Sequence, residues 1–267
     1  MKAGISREGR EDLARVVGPG RRFVRGADVI EVLGVGRREA VEKLGAWARS
    51  GWLRRVRRDL YIPVPVDADA PDSWSEDPLV VADEVWSPCY FTGWTAANHW
   101  ELTEQVFRTV VVKTTTRFRR SPMTLLDQDY LLRRVSPDAL AWGLETVWIA
   151  ERRVKVASPA RAVIEILDEP RLGGGIRHVA EILAAYLREH DAGLLVEAGD
   201  QLGNRTVFKR LGYLLSEMDA APGVVDRSLE RISAGFSLLD PSAPARGPYA
   251  RAWNLRINVS VGGEDAS

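Results

Sequence analysis

Arg37-Arg38-Glu39-Ala40-Val41-Glu42-Lys43-Leu44-Gly45-Ala46-Trp47-Ala48-Arg49-Ser50, running on into Gly51-Trp52-Leu53-Arg54-Arg55-Val56-Arg57-Arg58-Asp59-Leu60-Tyr61-Ile62, is the stretch on which the fold turns. In its first half Ala40, Val41, Leu44 and Ala48 recur at helical spacing, which predicts a helix over 37–50 packed inward through that stripe. Arg37, Arg38 and Glu42 are then left facing outward. Gly51 stops the helix, and Trp52 to Val56 with Leu60 to Ile62 reads as two strands around a turn at Arg57-Arg58-Asp59.

Upstream, Glu8 to Val17 reads as a helix with Leu13, Val16 and Val17 on one face, closed by Gly18-Pro19-Gly20. A second helix is expected from Ala27 to Leu33, followed by the tight turn Gly34-Val35-Gly36. Helix, helix, helix and hairpin in this order predict a winged helix-turn-helix over residues 1–66, with the third helix as the recognition helix. Such a helix is roughly 20 Å long and its cylinder fits the major groove of B-DNA.

Charge points the same way. Formal net charge is zero, yet residues 1–66 hold 15 Lys or Arg against 8 Asp or Glu, and the rest of the chain holds 22 against 29. A basic segment joined to an acidic body suggests that the first meets a polyanion. Arg37 and Arg38 can take guanine O6 and N7 bidentately or clamp a phosphate, although Arg38 can equally pair with Glu42 one turn on. Arg54, Arg55, Arg57 and Arg58 crowd four guanidinium groups onto one hairpin, either as a solvated charge run or to straddle a DNA backbone. Six phosphates neutralised would make log K fall against log salt with a slope of roughly −5.

From Val64 to Glu76 the composition shifts to Pro, Asp, Ala and Ser, and a linker is expected over 67–76. Residues 77–267 read as a larger mixed domain. Helices are expected at Pro78 to Val85 and Trp94 to Trp100, and β-rich segments at Tyr90 to Thr92, Val106 to Lys113, Met123 to Val135, Glu145 to Ala150 and Val154 to Ala157. Helices then dominate: Ser158 to Asp168, Ile176 to Glu189, Gly193 to Leu202, Arg205 to Met218 and Val225 to Ala234, before a last strand at Ala252 to Val259. Strands followed by helices argue an α+β class.

Catalytic constellations are scarce. Asp127-Gln128-Asp129 could hold a divalent cation or simply solubilise a hairpin. None of the five lysines follows an acid by two residues as a restriction-type nuclease requires, and Gly173-Gly174-Gly175 lacks the Lys-Ser/Thr of a phosphate loop. Cys89, the single cysteine, reads as a buried thiol, and three histidines leave no Cys/His zinc cluster, so no metal, no cofactor and no enzymatic activity are expected. Trp94, Trp100, Trp142 and Trp148 read as core, with Trp94, Thr95, Asn98 and His99 also a candidate contact surface. No signal peptide and no membrane span of about 18 apolar residues is read, and a cytoplasmic location is expected.

The segment Tyr90-Phe91-Thr92-Gly93-Trp94-Thr95-Ala96-Ala97-Asn98-His99-Trp100-Glu101-Leu102-Thr103-Glu104-Gln105 resembles the AbiEi family of antitoxins and regulators from abortive-infection phage-defence systems. So do the hairpin end Arg57-Arg58-Asp59-Leu60-Tyr61, Val154 to Ala162, Gly203 to Gly212, and the tail from Leu239-Asp240-Pro241 to Asn258-Val259. Asp59 stands where the family often has Gly, and Trp100-Glu101 where a small residue is common. The resemblance implies repression of the protein's own operon at inverted repeats in double-stranded DNA, and a C-terminal domain that counteracts a cognate nucleotidyltransferase toxin. Two other readings stay open at this point: a DNA reader fused to a nuclease or protein-modifying enzyme, and a ligand-sensing transcription factor.

Overall fold

Three helices and a hairpin occupy the first part of the computed structural model, which describes residues 4–65, 68 and 73–261. Helix α1 (Arg7–Val17) begins where the Ser6 side chain accepts the Gly9 N–H at 3.0 Å, and α2 (Gly26–Leu33) ends on Gly34 in the left-handed region. Helix α3 (Arg37–Arg49) leads into β1 (Leu53–Arg57), which pairs antiparallel with β2 (Leu60–Pro63).

The stripe of α3 that packs inward is Ala40, Leu44 and Trp47, each at most 3% exposed, against Leu13, Val16, Val24, Val29 and Leu53. Val41, expected in that stripe, is instead 58% exposed. The reason is geometric: residues 40, 44 and 47 already form a complete i, i+4, i+7 face, and the larger Trp47 fills it while donating its indole N–H to the Gly9 carbonyl at 3.1 Å. Each of these large apolar side chains contributes about 1.5–3 kcal/mol by leaving water.

The hairpin is tied to the helices at its turn. Asp59 adopts φ 56°, where glycine is favoured, and its carboxylate accepts the Gly26 N–H at the start of α2 at 2.9 Å. Val24 and Tyr61 exchange backbone hydrogen bonds of 2.8 and 2.9 Å. The ladder has a bulge between Arg55 and Arg57, so Val56 turns inward and both arginines stay exposed.

The chain divides into two compact units, residues 1–81 with 123–129, and residues 82–122 with 130–267. Of the linker expected over 67–76, residues 67 and 69–72, Pro71 among them, lie outside the described residues. Helix α4 (Pro78–Trp86) carries the chain from the first unit into the second.

Next come β3 (Cys89–Phe91), α5 (Gly93–His99), β4 (Thr109–Thr114), β5 (Met123–Leu125), β6 (Gln128–Arg134), β7 (Leu144–Ile149) and β8 (Arg152–Ala157). They form a six-stranded mixed sheet in the order β5-β6-β4-β3-β8-β7, with β3 antiparallel to β4 and parallel to β8. The segment expected as one β run from Met123 to Val135 is broken at Leu126 and Asp127, both at positive φ. Trp148, expected in the core, is 69% exposed on β7.

Helices α6 (Pro159–Asp168), α7 (Ile176–Glu189), α8 (Gly193–Leu202), α9 (Thr206–Glu217) and α10 (Pro222–Leu229) follow. Ile166, Leu167, Val179, Ile182, Leu183, Tyr186, Leu195, Phe208, Leu211 and Leu214 form the core between them. In place of the long terminal strand over 252–259 stand three two-residue strands, β9 (Ser237–Leu238), β10 (Tyr249–Ala250) and β11 (Leu255–Arg256). A 3-10 turn at Arg251–Trp253 shortens the last one by burying Trp253. Strands, then helices, with ten α-helices among the described residues, make the chain α+β.

Replacing Asp59 by Ala removes the acceptor for the Gly26 N–H and places a Cβ-bearing residue without a local hydrogen-bonding side chain at φ 56°. Urea denaturation of the Asp59→Ala variant is expected to show a loss of about 1–2 kcal/mol, with Asp59→Asn losing less.

Candidate functional site

Arg37, Arg38 and Glu42 all lie on the exposed face of α3. Arg38 donates to Glu42 at 3.0 Å across one turn, with both side chains largely in solvent, a pairing worth only about 0.3–0.5 kcal/mol. It is therefore easily exchanged for another partner. Arg37, Arg49 and Arg58 are exposed and their side chains have no hydrogen bond or ion pair among the described residues. Arg55 and Arg57 are exposed on the hairpin, the Arg55 Nε donating to the Arg57 carbonyl at 3.3 Å.

Arg54 is placed differently from its neighbours. It turns inward on β1, donates to the Trp74 carbonyl at 2.8 Å and pairs with Asp127 at 2.5 Å, so it serves packing within the first unit. The strand alternation separates it from Arg55, a consequence visible only once the register is known. Arg49, which the sequence reading passed over, lies one turn beyond Gly45 on the same exposed face as Arg38 and Glu42. The 3.6-residue period alone could have found it.

Of the four residues around α5, Trp94, Thr95 and His99 are half-buried and Asn98 is exposed. The Trp94 indole donates to the Thr109 carbonyl at 2.5 Å and stacks on Phe107 at 4.7 Å, and the Thr95 hydroxyl accepts the Val111 N–H at 2.9 Å. Both fasten α5 to β4. Burial lowers the pKa of His99. Cys89 is buried, and burial together with the nearby Asp83 charge pushes its thiol up to about 12, which removes the thiolate needed for reactivity.

Of the acid pair on the hairpin, Asp127 is taken by Arg54 and Asp129 accepts from the Thr124 hydroxyl at 2.5 Å. Among the described residues no group of three or more His, Cys, Asp or Glu is placed to hold a metal ion.

A charged network without an exposed member lies inside the second unit. Glu165, 1% exposed on α6, accepts from Tyr90 at 2.7 Å, from the Thr92 hydroxyl and from the Arg161 Nε at 2.9 Å, and pairs with Lys113 at 3.1 Å. The Arg161 guanidinium sits over the rings of Tyr90 at 4.3 Å and Trp142 at 4.0 Å and donates to the Trp142 carbonyl. Burial alone would raise the Glu165 carboxyl, but the Lys113 and Arg161 charges and the Thr92 and Tyr90 hydroxyls outweigh it and hold it below the usual carboxylate range. Every polar atom in this set has a partner, so its role is to join β3, β4 and α6. An Arg and a Glu one turn apart in an otherwise apolar helix was the signal that sequence reading could have used.

The tail motif and the Gly203 to Gly212 segment resolve into the same kind of task. Asp240 accepts the Ile176 N–H at 2.9 Å, starting α7, and Asn258 brackets Asp240 from both sides of its peptide. Arg210 donates to the carbonyls of Leu167, Asp168, Leu238 and Leu239, and Lys209 donates to Gly235 at 2.6 Å. A Cβ at Gly212 would sit 2.1 Å from the Trp253 ring, so only glycine admits the indole.

No protein-family model matches the chain, and no curated protein does. Among solved structures the chain is similar to the RV2827C protein from Mycobacterium tuberculosis, with a TM-score of 0.68 and 13% identity over 95% of this chain and 92% of that one. At that identity the likeness is one of fold. Among the described residues no helix is long and apolar enough to cross a membrane.

Glu165→Gln leaves Lys113 and Arg161 buried without their counter-charge, and chemical denaturation is expected to register a loss of about 3–5 kcal/mol. Because the folded carboxyl titrates below the unfolded value of about 4.3, its stabilisation is complete above that pH and is lost as pH falls through the folded pKa. The stability difference between wild type and Glu165→Gln should therefore shrink from pH 5 downward when both are followed by circular dichroism.

Proposed function

We propose that the protein is a DNA-binding antitoxin whose first unit is a winged helix-turn-helix that binds double-stranded DNA. The carrying observation is the exposed arginine set on α3 and the β1–β2 hairpin: Arg37, Arg38 and Arg49 on the helix, Arg55, Arg57 and Arg58 on the hairpin. The order along the chain of α2, the Gly34–Gly36 turn, α3 and the hairpin supports reading α3 as a recognition helix followed by a wing. Three of these guanidinium groups have no partner among the described residues, which leaves them for an external anion.

In this reading Arg37 and Arg38 meet the major groove and the hairpin arginines hold the backbone, while Arg54 takes no part. Repression of its own operon at inverted repeats and neutralisation of a nucleotidyltransferase toxin by the second unit rest on the AbiEi resemblance. A cytoplasmic location and the absence of a cofactor and of catalysis go with them.

The three hairpin arginines at phosphates give a slope of log K against log salt of about −2.7, to be read by fluorescence anisotropy on a duplex from upstream of the protein's own gene. A slope near zero removes the DNA reading. Arg37→Ala with Arg38→Ala should abolish binding to that duplex yet still protect cells expressing the nucleotidyltransferase of an adjoining gene. Equal loss of both activities would contradict the division of labour.

A further inference from the structure

Gly45 lies in the interior of α3, where glycine costs about 1 kcal/mol relative to alanine. Mid-helix glycines in α8 and α9 have a packing reason. A Cβ at Gly199 would sit 2.7 Å from the Phe208 ring, and one at Gly212 would overlap Trp253. At Gly45 a Cβ would meet only the Arg49 Nη1 at 3.2 Å, the far end of a flexible, exposed side chain. Its φ is an ordinary helical one. Neither backbone conformation nor packing asks for glycine here.

One turn before it stands Val41, 58% exposed and apolar, on a face otherwise made of Arg38, Glu42 and Arg49. Together Val41 and Gly45 make a shallow depression along the middle of α3, with Arg38 at one end, Glu42 beside it and the flexible Arg49 guanidinium reaching back toward Gly45 from the other. An α-helix with side chains measures about 10–12 Å across and the major groove is about 12 Å wide, so removing one side chain from the inserted face lets the backbone sit deeper. The groove floor presents one apolar group, the C5-methyl of thymine.

We infer that this face of α3 is the base-reading surface, with Gly45 the point of closest approach to the groove floor and Val41 the reader of a thymine methyl. The inference rests on the DNA-binding reading above and adds what decides sequence preference. Charge fits the occupant: Arg38 and Arg49 flank the depression, so a polyanion is favoured over a second copy of the same basic face.

The test uses the full chain and a library of randomised duplexes of about 20 base pairs, from which bound sequences are enriched. The enriched duplex is then remade with deoxyuridine in place of each thymine in turn, which removes only the methyl group. At one or more positions the wild type should lose about fourfold in affinity, the worth of one buried methyl group. Val41→Ala should bind thymine and deoxyuridine duplexes alike. Gly45→Gln should raise the thermal midpoint, since the helix gains propensity, yet bind the enriched duplex at least tenfold more weakly with an unchanged salt slope.

An enriched sequence without thymine, a wild type indifferent to the methyl, a methyl effect that persists in Val41→Ala, or a Gly45→Gln variant that binds as wild type overturns the inference while leaving DNA binding intact. Failure to enrich any sequence, with a flat salt titration, overturns the DNA reading itself. Self-association that changes in Gly45→Gln while DNA affinity does not assigns the depression to a second copy and also overturns it.

Discussion

The second unit is organised around one buried carboxylate. Glu165 cannot be charged in that interior without its partners, and its partners come from three different elements: Tyr90 and Thr92 from the β3 strand and its end, Lys113 from β4, Arg161 from α6 itself. Desolvating two cations and one anion is offset only when the geometry is complete. The strand order, the register of Tyr90 against Lys113 and the rotation of α6 are thereby linked, because a shift in any one leaves a buried charge alone. The apolar contacts around it tolerate small displacements; this set does not.

The same logic, in weaker form, governs the C-terminal segment. Its strands are two residues long and could not persist as a sheet without other anchors. Arg210 supplies them by gathering carbonyls from both the end of α6 and the β9 region, and Asp240 ties the tail to the first turn of α7. The Gly-Asn-Arg-Thr-Val-Phe-Lys-Arg-Leu-Gly segment and the Leu-Asp-Pro tail, noted first as points of family resemblance, thus lie on opposite sides of one internal joint.

How much of this was legible in the sequence depended on the range of the interaction. Helices such as Ile176–Glu189 and Gly193–Leu202 end on local signals, a terminal glycine or a change of period, and could be placed to the residue. The α+β class followed from element order alone. The inward face of α3 could not be settled, because Ala40-Leu44-Trp47 and a stripe through Val41 and Ala48 are both helical periods, and only the neighbours of Trp47 choose between them. Arg54 looked like its three arginine neighbours until strand register sent it toward Asp127, 73 residues away. Trp148 looked like core because aromatic content was read without knowing that β7 is a sheet edge. The part that Trp94 and Thr95 play in holding α5 to β4 could not be read from the sequence, because their hydrogen-bond partners lie beyond any local pattern.

Asp59 gives the hairpin a further property. By holding the first N–H of α2 from the turn, while Val24 and Tyr61 pair two residues further along β2, it fastens the hairpin at two points and leaves no free flap. The span from the hairpin arginines to the start of α3 is therefore set by the folded unit before any ligand arrives. In the DNA-binding reading proposed above, a surface with that span fixed would work as a gauge, accepting a polyanion whose charges fall at the matching interval without an ordering cost on binding.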